Sequence, residues 1–188
     1  MAPLPRLERL ELVVQHVGRF SPDAGLYHTG PGDCHADREC AALSELLFFQ
    51  AQHAWVSGDW DRSLAQLEAA DALLDQASNA WIGAQVLVEL GQVTLARGQQ
   101  AKGARYLDEA RRRLEHPFIE QWIVSVQSEQ DLARGDAAAA SGRLEPLLKE
   151  PSILTDYLLI LMGWATLERD PEQAAAFVEQ GLTLARSA

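Results

Sequence analysis

Hydrophobic positions recur at helical spacing along most of the chain, and strand-like alternation is almost absent from Asp37 onward. The segments are rich in Ala, Leu, Glu, Gln and Arg, which are strong helix formers. The last segment carries one apolar stripe made of Ala174, Phe177, Val178, Gly181, Leu182 and Ala185. A helix with such a stripe must pack on a neighbour, so the pattern predicts an all-α fold.

Turn-forming residues interrupt this pattern at regular intervals. The breaks are Gly58-Asp59, Gly98-Gln99, Gly135-Asp136 and Arg169-Asp170-Pro171, and their first residues are separated by 40, 37 and 34 positions. Glycine suits the left-handed conformation at a helix C-terminus, and a following Asp accepts hydrogen bonds from the first amides of the next helix. The recurring breaks predict short turns between paired helices.

These signals divide the chain into two parts. Residues 1–36 are predicted to hold an N-terminal helix at about 5–18 and a long loop, and residues 37–188 a helical repeat domain. The predicted helix pairs are 37–57 with 60–77, 80–97 with 100–115, 117–134 with 137–149, and 152–168 with 171–186.

The helix pairs resemble the tetratricopeptide repeat (TPR), a motif of about 34 residues with small residues where its helices touch. The second pair carries the most similar pattern, listed as Leu87, Leu90, Gly91, Thr94, Gly98, Gly103, Leu107 and Ala110. In the fourth pair Gly163 with Ala175 fits as well as Met162 with Ala174, so two registers stay open. The resemblance covers about residues 37–186 and implies a right-handed α-solenoid of about four TPR-like antiparallel helix pairs plus an N-terminal helix.

The spacing and the Ala-rich helices also look like the helical-repeat sensor segments of bacterial transcription regulators of the maltose-activator and LuxR-like class. The ATPase and DNA-binding parts of such a regulator would be missing from this chain. This resemblance implies a role in transcription regulation.

A TPR-like solenoid binds its ligand on the concave surface, which the first helix of each pair lines. The resemblance also implies which positions of each first helix face the concave surface. Transferred to this sequence by the repeat register, these positions predict a partner-binding set of Glu45, Phe48, Gln52, Trp55, Gln85, Gln92, Trp122, Ser125 and Glu129. The same register places Val88, Leu95 and Leu132 on this surface. This mixture of aromatic, amide and carboxylate groups suits a peptide or a small amphipathic ligand. The competing interpretation is that Phe48, Trp55 and Trp122 belong to the core.

The charge balance disfavours direct nucleic-acid binding, because the net charge is −11 and the pI is about 4.8. Residues 97–113 nevertheless have a net charge of +4. This basic segment could receive an acidic tail or a phosphate group. Alternatively, Arg111, Arg112 and Arg113 interact with the helix dipole at a helix C-terminus.

A cluster of potential metal ligands lies in and just after the predicted loop, namely His28, Asp33, Cys34, His35, Asp37 and Cys40. Their spacing does not match a zinc finger, and no metal or other cofactor is predicted. The alternative is a loop without metal, in which Cys40 packs as a small apolar residue.

No catalytic motif with the necessary spacing occurs in the sequence. We therefore expect a non-catalytic module that binds a protein, a peptide or a small ligand. The alternatives are a self-association module that forms a homodimer and a metal-binding protein that uses the 28–40 loop. The sequence has no membrane-spanning run and no secretory signal, so a cytoplasmic location without membrane contact is expected.

Overall fold

A computed structural model describes residues 34–74, 79–149 and 152–187. These residues form eight α-helices and no strand, which confirms the all-α prediction for the described part of the chain. The helices are α1 (Cys34–Val56), α2 (Trp60–Leu74), α3 (Ala80–Ala96), α4 (Gln100–Arg113), α5 (Pro117–Ala133), α6 (Ala137–Leu147), α7 (Thr155–Thr166) and α8 (Pro171–Ser187). The N-terminal helix predicted at 5–18 and most of the predicted loop lie outside the described residues.

The observed helix boundaries follow the predicted ones to within about three residues. The first described helix, α1, begins at Cys34, three residues before its predicted start. The seventh helix, α7, begins three residues after its predicted start, at Thr155. The turn-forming residues in the sequence therefore predicted the positions of the turns well.

Three of the four turns close with the same backbone geometry. Gly58, Gly98 and Gly135 have φ angles of 81°, 79° and 80°, in the left-handed region where a side chain is strained. After each glycine, the next amide donates to the carbonyl five residues back: Asp59 N to Ala54 O at 2.9 Å, Gln99 N to Thr94 O at 3.1 Å, and Asp136 N to Asp131 O at 2.8 Å. This bond satisfies a carbonyl at the helix C-terminus. The left-handed glycines predicted at these breaks are confirmed.

The aspartates after the breaks cap the next helix. Asp59 Oδ1 accepts from Arg62 N at 3.1 Å, and Asp136 Oδ1 accepts from Ala139 N at 3.0 Å. The fourth break lacks glycine and closes differently, because Asp170 N donates to Thr166 O only four residues back, at 2.8 Å. A hydrogen bond that spans four residues is helical, so Arg169 does not need a left-handed conformation.

The chain divides into two compact units, and the first comprises the described residues up to Ile119. In it α1 packs on α2, α3 packs on α4, and α3 also contacts both α1 and α2. Residues 82–91 of α3 are all buried, so this helix is covered on every side. Its large fully buried side chains are Val86, Val88, Leu90 and Val93.

The second unit comprises the described residues from Glu120 onward. There α7 packs on α8 and on α6. A Cβ atom on Gly163 would lie 3.0 Å from the Ala174 carbonyl oxygen, and Ala174 is buried whereas Ala175 is exposed. The close contact between α7 and α8 therefore pairs Gly163 with Ala174, a combination of the two registers left open by the sequence.

Candidate functional site

The predicted partner-binding residues lie on α1, α3 and α5, which the sequence predicts to be the first helices of three pairs. Five are buried, namely Phe48, Gln52, Gln85, Trp122 and Ser125. Four are half-buried, namely Glu45, Trp55, Gln92 and Glu129. Partner contact therefore stays a prediction for all nine, and the half-buried four present most of the surface that a ligand could reach.

Several of these side chains have neighbours within the protein. Trp55 stacks on Trp60, with ring centroids 5.3 Å apart, at the turn between α1 and α2. Ser125 Oγ donates to Trp122 O at 2.7 Å within α5. The stacking contact fixes the orientation of the Trp55 ring. The hydrogen bond uses the hydroxyl proton of Ser125, so this proton is not available to a partner.

Two helices of the first unit are joined by one buried polar contact. Gln52 on α1 donates from Nε2 to Oε1 of Glu89 on α3 over 2.8 Å. The Glu89 residue is 3% exposed and Gln52 is 6% exposed. The bond thus links two first-of-pair helices inside the apolar interior of the unit.

Further polar residues flank this bond at helical spacing. Gln85 lies four residues before Glu89 and Gln92 three residues after it, so all three lie on one side of α3. Glu45 lies two turns before Gln52 on α1. We call this set, comprising Glu45, Gln52, Gln85, Glu89 and Gln92, the polar face.

The sequence-based prediction missed Glu89. Its signal was nevertheless present, because Glu89 is the only charged residue in the seventeen positions of α3. A single carboxylate in an apolar helix points to a buried group that is retained despite its cost. The repeat register had placed the neighbouring residue, Val88, on the predicted concave surface instead.

Burial changes the protonation of Glu89. Loss of hydration raises the pKa of the Glu89 carboxyl to about 7, and the hydrogen bond from Gln52 offsets part of this rise. No Lys, Arg or His forms an ion pair with Glu89 within the described residues. Near neutral pH the carboxyl is divided between its acid and carboxylate forms, so it can donate or accept a hydrogen bond.

The basic segment at residues 97–113 pairs with carboxylates on α2. Arg97 binds Asp61, Lys102 lies 3.5 Å from Glu68, and Arg113 lies 3.3 Å from Asp71. Two further cations pair within α4, as Arg111 with Asp108 and Arg112 with Glu109. Helix α4 ends at Arg113, as expected for cations in a last turn. These partners favour the structural interpretation of the segment over phosphate binding.

A shallow depression of about 330 Å³ lies beside the turn between α1 and α2. It is lined by Gly58, Asp59, Trp60, Asp61 and Arg97. The Arg97 and Asp61 side chains pair with each other across it. Asp59 Oδ1 accepts from Arg62 N, so each charged side chain of the lining already has a partner within the protein.

The predicted metal ligands fall largely outside the described residues, which contain neither His28 nor the side chains of Cys34 and His35. Cys40 is a free, half-buried thiol. Within the described ranges no three His, Cys, Asp or Glu side chains are grouped closely enough to hold a metal ion. The metal hypothesis for the 28–40 loop stays untested.

None of the helices in the described residues has both the length and the apolar content needed to cross a membrane. No protein-family model, curated protein or solved structure matches the chain.

Proposed function

We propose that this chain is a non-catalytic interaction module, a right-handed TPR-like solenoid that binds a protein segment on the polar face of its first unit. The support for the repeat is local: three turns with the same glycine conformation and the same closing hydrogen bond recur along the chain, each between two consecutive helices. Such repetition is typical of stacked helix pairs.

The observation that carries the binding proposal is the buried hydrogen bond between Gln52 and Glu89. A glutamate that is 3% exposed, and whose one hydrogen bond among the described residues comes from a neutral amide, is costly to the fold. Perturbed carboxyl groups of this kind cluster at functional sites. A bound segment would contact the half-buried side chains that flank this pair on α1 and α3.

The half-buried residues give such a segment its access. Trp55 lies three residues after Gln52, and Gln92 lies three residues after Glu89, so each follows its buried neighbour by about one turn. Trp55 supplies an aromatic surface and Gln92 a side-chain amide. Aromatic anchors beside amides are typical of peptide-binding surfaces.

The nature of the partner follows from charge. The chain has a net charge of −11, and five of the six cations of residues 97–113 are paired with carboxylates. A neutral or basic segment is therefore favoured over an acidic one. We also propose that the module belongs to a regulator of the maltose-activator or LuxR-like class, on the basis of the repeat length and Gly-Asp turns.

Selection from a displayed random-peptide library tests the binding proposal. The whole chain is immobilised, and enriched peptides are measured against wild type, Trp55→Ala, Gln92→Ala and Glu89→Gln. We expect each variant to weaken binding by about tenfold or more, which corresponds to roughly 1.4 kcal/mol. The matched control is Gln173→Ala, at an exposed position of α8.

Circular dichroism of each variant checks that its helix content is unchanged. The proposal is overturned if no peptide is enriched over a bare surface. It is also overturned if the enriched peptides bind wild type, Trp55→Ala, Gln92→Ala and Glu89→Gln equally.

A further inference from the structure

Two stacked aromatic pairs lie beside the polar face of the first unit. Trp55 and Trp60 have ring centroids 5.3 Å apart at the turn between α1 and α2. Trp81, in the first turn of α3, stacks on Phe118 in the first turn of α5, with ring centroids 5.5 Å apart. All four residues are half-buried. Each pair is therefore a preformed aromatic surface that a partner can still reach.

Trp81 continues the polar face toward the N-terminus of α3. It precedes Gln85 by four residues, Glu89 by eight and Gln92 by eleven. At 3.6 residues per turn these four positions fall within about 80° around the helix. The Trp81 pair therefore lies at the N-terminal end of the polar face.

Helices α1 and α3 run in the same direction. The C-terminus of α1 joins the N-terminus of α2 through a short turn, and Arg97, which follows α3, pairs with Asp61 in the first turn of α2. The C-terminal ends of α1 and α3 therefore lie at the same end of α2. The bond from Gln52 to Glu89 lies within about two turns of both ends, as two parallel helices require.

The two aromatic pairs consequently flank the polar face at opposite ends. Trp55 lies near the level of Gln92, because each follows its neighbour in the buried hydrogen bond by three residues. Trp81 lies eleven residues before Gln92, which is about 16 Å along α3. Since packed helix axes are about 8–10 Å apart, the two pairs are separated by about 18 Å.

The end at Trp55 is acidic. Its neighbour Trp60 lines the depression of about 330 Å³ together with Asp59, Asp61 and Arg97. Two carboxylates against one guanidinium leave a negative charge in this lining, and the Asp61 side chain is 87% exposed although it pairs with Arg97. A guanidinium group stacks on tryptophan rings and binds carboxylates. This end therefore favours an arginine side chain of the partner.

The end at Trp81 is aromatic. The exposed His116 ring packs edge-on against Trp81, with centroids 5.1 Å apart and an interplanar angle of 87°. Phe118 N donates to Nδ1 of His116 at 3.2 Å, which holds the imidazole in place. Three rings thus meet at this end, and a further ring can join such a cluster edge-to-face or in an offset stack. This end therefore favours an aromatic side chain.

We propose that the bound segment is extended and carries two anchors about five or six residues apart, an arginine at the Trp55 pair and an aromatic residue at the Trp81 pair. The proposal rests on the function proposed above and adds the chemistry of the partner. An extended chain advances about 3.3 Å per residue, so five or six residues span about 18 Å. Amide side chains such as Gln92 bind the exposed backbone of an extended segment, whereas a helix satisfies its own backbone groups.

Synthetic peptides test the spacing. Each fluorescent peptide carries one arginine and one tryptophan in a Gly-Ser background, two, five, six or nine positions apart and in both orders. Binding to the whole chain is measured by fluorescence anisotropy. In the better order, we expect the five- and six-residue spacings to bind at least about tenfold more tightly than the spacing of two.

Double-mutant cycles assign each anchor to its end. We expect Trp81→Ala to weaken the best peptide by about tenfold and to leave unchanged a peptide whose tryptophan is replaced by alanine. Asp61→Asn, at an exposed position, should act in the same way through the arginine. Trp81→Phe keeps a ring and should retain most of the binding, which separates loss of the anchor from loss of the fold. The matched control is Trp164→Ala, at a half-buried tryptophan of α7.

Three results would overturn the proposal. They are equal affinity at all spacings, an anchor that couples to the opposite end, and peptides that respond to Gln92→Ala but not to Trp81→Ala. The third result would leave the proposed function standing, because binding at the polar face would persist without the aromatic end. Failure of the random library to yield any peptide would instead overturn the proposed function itself.

Discussion

Gly91 of α3 and Gly103 of α4 lie back to back where the two helices cross. A Cβ atom on Gly103 would lie 3.0 Å from the Gly91 carbonyl oxygen, and one on Gly91 would lie 3.3 Å from the Gly103 carbonyl oxygen. The two backbones approach so closely that neither position has room for a side chain. Leu107 and Leu95 close the remaining space, within 2.5 Å of the two added atoms.

The first prediction concerns this crossing. Gly91→Ala gains helix propensity of about 1 kcal/mol but forces the Leu107 side chain aside in a packed core, at a cost of typically 1–3 kcal/mol. We expect a net loss of stability of up to about 2 kcal/mol, measured by urea unfolding. A variant more stable than wild type would contradict the close approach.

A turn glycine and an uncrowded helix glycine should respond to alanine in opposite directions. Gly135 has a φ of 80°, so Gly135→Ala is expected to lower the free energy of unfolding by about 1 kcal/mol. Gly142 lies inside α6 with no atom within 4 Å of an added Cβ, so Gly142→Ala should raise it by about 0.5–1 kcal/mol. Both are followed by denaturant titration, and equal signs would disprove the turn assignment.

The raised pKa of Glu89 predicts a pH dependence. Between the unfolded value of 4.5 and the folded value of about 7, the folded chain binds more protons than the unfolded one, so the Glu89 contribution to stability falls as pH rises. The Glu89→Gln variant keeps an oxygen that accepts from Gln52 and lacks this titration. Its advantage over wild type should grow by roughly 3 kcal/mol between pH 4.5 and pH 8.

The measurement compares wild type with the variant at each pH, because other carboxyl groups titrate in both proteins. Glu109 provides a control of opposite sign, since the hydrogen bond and charge of Arg112 lower its pKa. A Glu109→Gln variant should not gain stability relative to wild type as pH rises. A constant difference between wild type and Glu89→Gln across the range would exclude a raised pKa for Glu89.

Arg113 and Arg112 are adjacent cations with different expected effects. Arg113 packs over Gly83, where an added Cβ would lie 2.8 Å from its Cδ, and pairs with Asp71 on α2. Arg113→Ala should therefore cost about 1 kcal/mol through lost packing. The side chain of Arg112 is 67% exposed, so Arg112→Ala should stay within about 0.5 kcal/mol of wild type. Thermal unfolding of the two variants separates packing from surface charge.

Much of the local structure could be predicted from the sequence, because turn chemistry is local. Gly58, Gly98 and Gly135 each require only a left-handed residue at a helix end, and their positions set the helix boundaries. The sequence left two registers open, Gly163 with Ala175 and Met162 with Ala174, because both place small residues on similar sides of α7 and α8. The observed contact of Gly163 with Ala174 depends on how the two helices pack on each other.

The polar face was only partly predictable for a similar reason. Helical register placed Gln52, Gln85 and Gln92 on the same sides of α1 and α3, and the structure brings Gln52 to Glu89. Register could not reveal that Phe48 and Gln85 would be buried, because burial depends on which helices cover them. The pKa of Glu89 likewise depends on neighbours far away in sequence.

The complete burial of residues 82–91 has a practical consequence for work on this protein. An amide in the middle of a helix covered on every side exchanges its hydrogen only when the surrounding unit opens, so these amides should be the slowest to exchange in the first unit. Their exchange rates would then measure the unfolding free energy of that unit directly. Any molecule that binds the folded unit would slow them further in proportion to its affinity and concentration, whatever its chemistry.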